Sequence, residues 1–511
     1  MEKQDKKEFV IDAKQELWQE VQMQSRLIES GGEFVLPDYM PMMQKVLRLE
    51  ARALPPDRYV SANNVQMSGE VLHTLIYIGE DGETGATVLP AKYEFQIPTE
   101  GYTSPDIRAT VEVDGLTYRI TAPRKLNIRT RLNAKCYCIE KEEIMPEVKP
   151  SDAQINKLYQ DIESIRTRHL NSTDAELTDR IGIGSAKDTK LLWCGASSAV
   201  TDARAVEGGV NVRGDVVAKL LCESDGAIKM YTKKIPFDEF LEGDVNRGDY
   251  VSAIADVVAT EAVKEDGGEA EVTVGIFIDA NVDSPLRLAV LKDAFSSDYD
   301  TQTEYKKIKA RNIVKEESIG TSVGASIAKS TAGIPENASI IDTSGRAVVE
   351  EITANGGKIN ISGRCDLSSL MLSGEEYTSA EYSVPLSISV DCNTDREMNV
   401  AAHVALINPR VRIEGDNLVC DMDLSLSYRA CATKEEDMLL VVECQTSKKL
   451  PKSEYPLCLI YSNGESLWDL AKKYRTSPEK LAAVNSLKIE KSDYCTPSAL
   501  AEHNLLMLEL E

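Results

Sequence analysis

Chemistry would first be sought at histidines, paired cysteines and glycine-rich turns, and each of these is present in a form that argues against catalysis. The four histidines, His73, His169, His403 and His503, stand alone, with no H-E-x-x-H pair, no G-x-S-x-G elbow and no lysine-bearing phosphate loop. His73 and His403 lie in alternating, strand-like runs, where a satisfied face residue is expected. Cys136 and Cys138 in AKCYCIE form the tight pair among eleven scattered cysteines. On a strand they share a face, but zinc asks for about four ligands, usually with two residues inside each pair. Buried or half-exposed free thiols are the expectation. GIGSAK at 182–187 lacks the spacing to a Lys-Ser/Thr pair that a phosphate cradle needs. Carboxylates are abundant, but no two stand out as facing a single cleft, as a glycosidase would require. The chain is therefore expected to have no catalytic residues, no metal site and no cofactor, and to work by binding and assembly.

The elements that would position such residues are mainly β. Of 511 residues, 42% are hydrophobic and 28% charged, as in ordinary globular proteins, and only 6% are aromatic. Frequent Val, Ile, Thr and Ser favour strands with modest side chains. Fifty-eight basic against 83 acidic residues leave a formal charge of −25, which repels polyphosphate backbones and anionic lipid surfaces. Nucleic acid is not an expected partner, and no stretch approaches the ~18 apolar residues of a membrane span. The first twenty residues, MEKQDKKEFVIDAKQELWQE, lack the apolar run of a signal peptide, so a cytosolic location is expected.

Self-similarity sets the organisation. LPDYMPMMQKVLRLEARALPPDRYVSANNVQMSG (36–69), IGIGSAKDTKLLWCGASSAVTDARAVEGGVNVRG (181–214) and STAGIPENASIIDTSGRAVVEEITANGGKINISG (330–363) align without a gap. They end on VQMSG, VNVRG and INISG, and the glycines Gly69, Gly214 and Gly363 are 145 (214 − 69) and 149 (363 − 214) positions apart. Alternating sequence resumes after each glycine and stops at a second glycine-containing turn, predicting strand, turn, strand. A structural role for these glycines follows, at a strand bulge or a close backbone approach. Farther on, segments 251–282 and 399–430 predict long hairpins around EDGG and EGDN, with a poorer match at 109–136.

The predicted boundaries are an N-terminal segment 1–29, β-rich domains at 30–145, 181–310 and 330–445, and connectors at 146–180 and 311–329. Ile155, Leu158, Ile162 and Ile165 fall at helical spacing on a polar stretch, which predicts a helix for the first connector. The second, KKIKARNIVKEESIGTSVGASIAKS, reads as a polar link.

A last domain is predicted at 454–511. In YPLCLIYSNGESLWDLAKKYRTSPEKLAAVNSL a short strand leads to a helix with Leu467, Leu470, Ala471 and Tyr474 on one face. Ser462 or Asn463 is expected to cap the turn, and Pro478 after Ser477 opens a second helix. Leu481 and Val484 would complete a core under Trp468. This stretch resembles a LysM domain of βααβ form, and the resemblance implies a glycan groove between the first strand–helix loop and the second helix–strand loop. The second loop departs from the family: LKIEKSDYCTPSALAEHNLLMLELE carries extra residues and lacks the closing turn glycine and proline.

The V-x-V-x-G strands and the LPDYMP opening resemble SPOCS domains, the modules of spore-coat assembly proteins. Three such domains followed by LysM imply a coat morphogenetic protein of the mother-cell cytosol, docked on the forespore surface with the coat ATPase SpoIVA and recruiting other coat proteins. The expected partner-binding residues are Leu467 and Trp468, with Lys472, Lys473 and Arg475 as a small basic patch steering an acidic partner. Leu467 and Trp468 have a second reading, as core. The rival class is an envelope protein binding peptidoglycan through the same domain.

Overall fold

The computed structural model describes residues 15–22, 25–61, 64–98, 106–149, 154–184, 189–392, 398–449, 457–490, 493–500 and 505–509. The fold is mainly β, as composition and alternation predict, with two short helices near the C-terminus. Alternation does the local work: in AKYEFQIP, Ala91, Tyr93, Phe95 and Ile97 are buried while Lys92, Glu94 and Gln96 face water.

Six sheets make three two-layered units. The second unit has the simplest form, with strands β10 (Asn156–Gly182), β11 (Lys190–Val206), β12 (Gly209–Ser224), β13 (Ala227–Glu242), β14 (Tyr250–Lys264) and β15 (Glu269–Phe295). They form antiparallel sheets of order β10-β15-β14 and β11-β12-β13. Val210, Val212, Val216 and Leu220 of β12 meet Val272, Val274, Ile276 and Ile278 of β15 in the core between them. The third unit repeats this with β16 (Tyr299–Ala328), β17 (Ala338–Asn355), β18 (Lys358–Ser373), β19 (Glu376–Asp391), β20 (Met398–Glu414) and β21 (Asn417–Lys449), in orders β16-β21-β20 and β17-β18-β19. The first unit divides two of its strands. Strands β1 (Gln15–Gln22) and β2 (Arg26–Val35) pair with successive halves of one edge of β8 (Lys125–Ile144), and β7 (Asp106–Ala122) takes the other edge. Likewise β3 (Met43–Ala53) and β4 (Asp57–Val60) share one edge of β5 (Asn64–Gly79), opposite β6 (Thr84–Pro98). Pro55 and Pro56 separate β3 from β4, as residues without an N–H for the ladder must. A short strand β9 (Glu147–Lys149), leaving the first unit, pairs in parallel with β21 of the third.

The signature glycines occupy one place. Gly69, Gly214 and Gly363 are each the sixth residue of a 16-residue central strand, β5, β12 or β18. In the second and third units the neighbouring strand bulges opposite them, between Val200 and Asp202 and between Val349 and Glu351. A Cβ on Gly214 would overlap the Ala199 carbonyl oxygen, and one on Gly363 that of Val348. In the first unit the Tyr93 ring fills this space, its hydroxyl donating to Leu54 O at 2.6 Å. A close backbone approach, one of the roles predicted for these glycines, is present at Gly214 and Gly363, whereas at Gly69 the close neighbour is a side chain. Gly363→Ala is expected to lower stability by about 1–3 kcal/mol in denaturant unfolding, because the obstacle is main chain; an unchanged midpoint would mean that the bulge yields.

Both connectors are strands, which corrects the predicted boundaries. Residues 156–182 form β10 rather than a helix, and 299–328 form β16. The inward positions of these strands include polar residues, buried Ser164 and Thr167 in β10 and buried Glu316 and Ser318 in β16, so apolar alternation is broken. A register shift between Leu158 and Tyr159 disturbs the period further. Part of the predicted N-terminal segment also belongs to the first unit, since β1 pairs with β8; residues 1–14 lie outside the described residues.

The three units close around a pseudo-threefold axis. Ile76, Leu221 and Leu370, each seven positions beyond its signature glycine (69 + 7, 214 + 7, 363 + 7), meet in one buried cluster with Leu47 and Ile228. Asp342 of the third unit ties the junction together: its carboxylate accepts from Arg48 of the first at 2.8 Å and from Lys219 of the second at 2.8 Å. Leu17, Ile162 and Ile308 bring the remaining sheets together in a second shared cluster.

Candidate functional site

The C-terminal domain is built from β22 (Leu457–Tyr461), α1 (Leu467–Tyr474), α2 (Pro478–Val484), a 3-10 turn (Pro497–Leu500) and β23 (Leu505–Glu509). Ser466, not Ser462 or Asn463, caps α1: its Oγ accepts from Asp469 N, and the Asp469 carboxylate accepts from Ser466 N, a reciprocal capping box. Arg475 closes α1 in the left-handed conformation, and Ser477 caps α2 ahead of Pro478. Asn485 ends α2 and fastens it to the sheet, donating to Met507 O at 2.7 Å and accepting from Met507 N at 2.6 Å. Leu467, Leu470, Ala471 and Leu481 are buried as the helical face predicts; Ala482 joins this core and Val484 does not.

The five residues expected to meet a partner are engaged within the chain. Leu467 and Trp468 are 0% and 3% exposed. The Trp468 ring packs edge-on against Phe295 of β15, centroids 5.0 Å apart, and its Nε1 donates to Asp293 at 2.9 Å. Lys472 binds both oxygens of Asp293 at 2.8 and 2.6 Å, Arg475 lies 3.5 Å from Asp300 of β16, and Lys473 pairs with Glu465. Leu467 and Trp468 are therefore core, the second of their two readings, and part of the face around α1 packs on the repeat units, while Lys472, Lys473 and Arg475 stay about half exposed. The physical reason is that an apolar stripe flanked by cations finds Phe295 and Asp293 on the same chain. No pattern within 454–511 could have identified those two residues.

The additional residues after α2 fold back over the start of α1. Tyr494 is buried and its carbonyl accepts from Trp468 N at 2.9 Å, while Leu500 enters the core. What remains open is the sheet's outer face. Leu457, Leu459 and Tyr461 of β22 and Leu505 and Met507 of β23 are 55%, 65%, 65%, 60% and 40% exposed. Leu459 stands opposite Met507 and Tyr461 opposite Leu505 in the ladder, so the side chains form one apolar surface on a two-stranded sheet.

The residues weighed for chemistry fall elsewhere. His73 is buried in β5, with Nδ1 2.9 Å from Leu89 O and Nε2 2.7 Å from Thr130 Oγ1. Cys136 and Cys138 lie in the first unit's core, where burial pushes the Cys136 thiol up. His503 and residues 185–187 of GIGSAK lie outside the described residues. Among the described residues no helix is long and apolar enough to cross a membrane.

Residues 462–491 match the LysM domain family. The tail is thus a LysM domain, a type of module that binds carbohydrate or peptidoglycan. No curated protein and no solved structure matches the chain.

Proposed function

We propose that this protein is a non-enzymatic assembly scaffold whose LysM domain binds a protein rather than a glycan. The observation that carries this reading is the open outer face of β22 and β23, with five large apolar side chains on ten strand residues. Clustered apolar surface of this kind marks protein interaction sites, and among the described residues neither outer edge of this two-stranded sheet is paired, which offers main-chain bonds to an added strand. The residues that pack back onto α1 occupy the loop that would wall a glycan groove, which supports the same reading.

The resemblance of the repeats to SPOCS domains, and of the whole arrangement to SipL, the clostridial coat morphogenetic protein, supplies the setting. In that reading the protein acts in the mother-cell cytoplasm at the forespore surface, its LysM domain binds the coat ATPase SpoIVA, and its SPOCS-like units recruit other coat proteins. It needs neither cofactor nor metal.

Binding of the full chain to purified SpoIVA and to purified peptidoglycan tests this. Leu459→Asp and Tyr461→Asp should each weaken ATPase binding at least about tenfold with unchanged circular dichroism. Tight peptidoglycan binding with no affinity for the ATPase would instead establish the envelope reading that the LysM match favours.

A further inference from the structure

The cyclic contacts between the repeat units contain one unfinished seam. Arg52, Ser197 and Arg346 are equivalent, each 17 positions before its signature glycine (69 − 17, 214 − 17, 363 − 17). Arg346 of the third unit donates to Val113 O and Asp114 O, at the bulge in β7 of the first. Ser197 of the second donates to Ile407 O, at the bulge in β20 of the third, at 2.5 Å. Arg52 of the first faces the corresponding bulge in β14 of the second without closing it. Among the described residues its hydrogen bonding is a 3.4 Å contact to Ala196 O, and its buried Nε has no partner there.

A chamber of about 560 Å³ opens at this point, lined by all three of these residues together with Glu50, Lys219 and Asp256. Most of its charges are already committed: Glu50 accepts from Ser344, Lys219 donates to Asp342, and Arg346 holds the β7 bulge. Arg52 and Asp256 are held less firmly: they influence each other's charge, and His403 influences Asp256, but no described hydrogen bond or ion pair joins them. No described side chain donates to Asp256, and it lies beyond ion-pair distance of Arg52. Burial pushes its carboxyl above the ordinary value although His403 and Arg52 oppose the shift. A half-buried carboxyl without a described donor and a guanidinium with one long contact and an unpaired Nε are costly to maintain, and the volume suits a small molecule.

We propose that this chamber binds a small zwitterion of free amino-acid type, its carboxylate on Arg52 and its ammonium on Asp256. Such a ligand completes the third seam with the two bonds that the first and second repeats cannot make with each other. Occupancy then strengthens the contact between these units, so ligand binding and cohesion of the ring rise together.

Titration calorimetry of the full chain with glycine, β-alanine and γ-aminobutyrate, which differ only in charge separation, tests the proposal. At least one should bind saturably below about 10 mM, and acetate and methylammonium, each carrying half of the recognition, should bind at least about tenfold more weakly. Arg52→Gln and Asp256→Asn should each weaken the zwitterion by at least about tenfold. No saturable heat from any of the three would overturn the proposal, as would equal binding of acetate, which needs no variant to fold. Unchanged affinity in both variants, if they are folded by circular dichroism, would show adventitious binding elsewhere and equally overturn it.

Discussion

Asp342→Ala is expected to cost about 3–5 kcal/mol of stability and to loosen all three repeat units together. The carboxylate lies where the units converge and is the shared acceptor for Arg48 and Lys219, whose side chains are 1% and 11% exposed. Lys219 also donates to Thr343 O at 2.9 Å, and Arg48 Nε is 3.4 Å from Glu50, so neither cation is bare after the change. Both nevertheless lose their closest anion in a place water does not reach freely. Breaking a buried pair from one side is costly because the surviving charge has been desolvated and not compensated. Guanidinium unfolding followed by tryptophan fluorescence measures the effect: Trp193 sits in the same junction cluster as Ile76, Leu221 and Leu370. A loss below about 1 kcal/mol would mean that the junction takes up water and that the triad is no more than a surface pair.

Glu316→Gln, by contrast, should stabilise the protein at neutral pH. Glu316 of β16 and Asp283 of β15 meet where the second and third units join. Ser252 of β14 donates to Glu316 at 2.5 Å, Thr167 of β10 to Asp283 at 2.5 Å, and Arg429 of β21 lies 3.2 Å from Asp283; Ser318 and Arg311 complete the surroundings. Burial pushes the Asp283 carboxyl up from 3.8 to about 6 despite Thr167 and Arg311, and raises Glu316 well above its usual range, with the Asp283 charge adding to the effect. The folded chain therefore keeps protons that the unfolded chain has released. Stability from this pair is complete below about pH 4 and declines as pH rises through 6, by about 3 kcal/mol for Asp283 alone. Glutamine keeps an acceptor for Ser252 but is neutral at every pH. The variant should exceed the parent at pH 7, match it near pH 4 and show a flatter pH dependence in urea unfolding. Equal or lower stability at pH 7 would show that Glu316 is ionised and paired in the folded protein.

The sequence by itself determined the β character, the three repeats, the place of Gly69, Gly214 and Gly363 in their strands, and the LysM domain. These are local matters. Alternation reports a strand with one wet face, a turn glycine reports its own φ, and the capped helices of the tail carry their signals within a few residues. The glycines are a special case: the sequence marks them by repetition, while the reason for each lies on the next strand, in the Tyr93 ring and the Ala199 and Val348 carbonyls.

Tertiary structure alone decided the rest. Segments 156–182 and 299–328 read as helix and linker because Ser164, Thr167, Glu316 and Ser318 point inward where apolar residues were expected. Their partners are polar groups more than sixty positions away, such as Asp283 on the neighbouring strand for Thr167 and Ser252 of the second unit for Glu316. The basic patch on α1 was legible as a patch, but not that Asp293 and Phe295 would occupy it. Nor does any spacing reveal that Asp342 serves Arg48 and Lys219 at once. Closing three repeats into a ring brings equivalent positions face to face, and the energy of a buried charge depends on what stands opposite it. That is a property of the assembled chain, which no window of sequence contains.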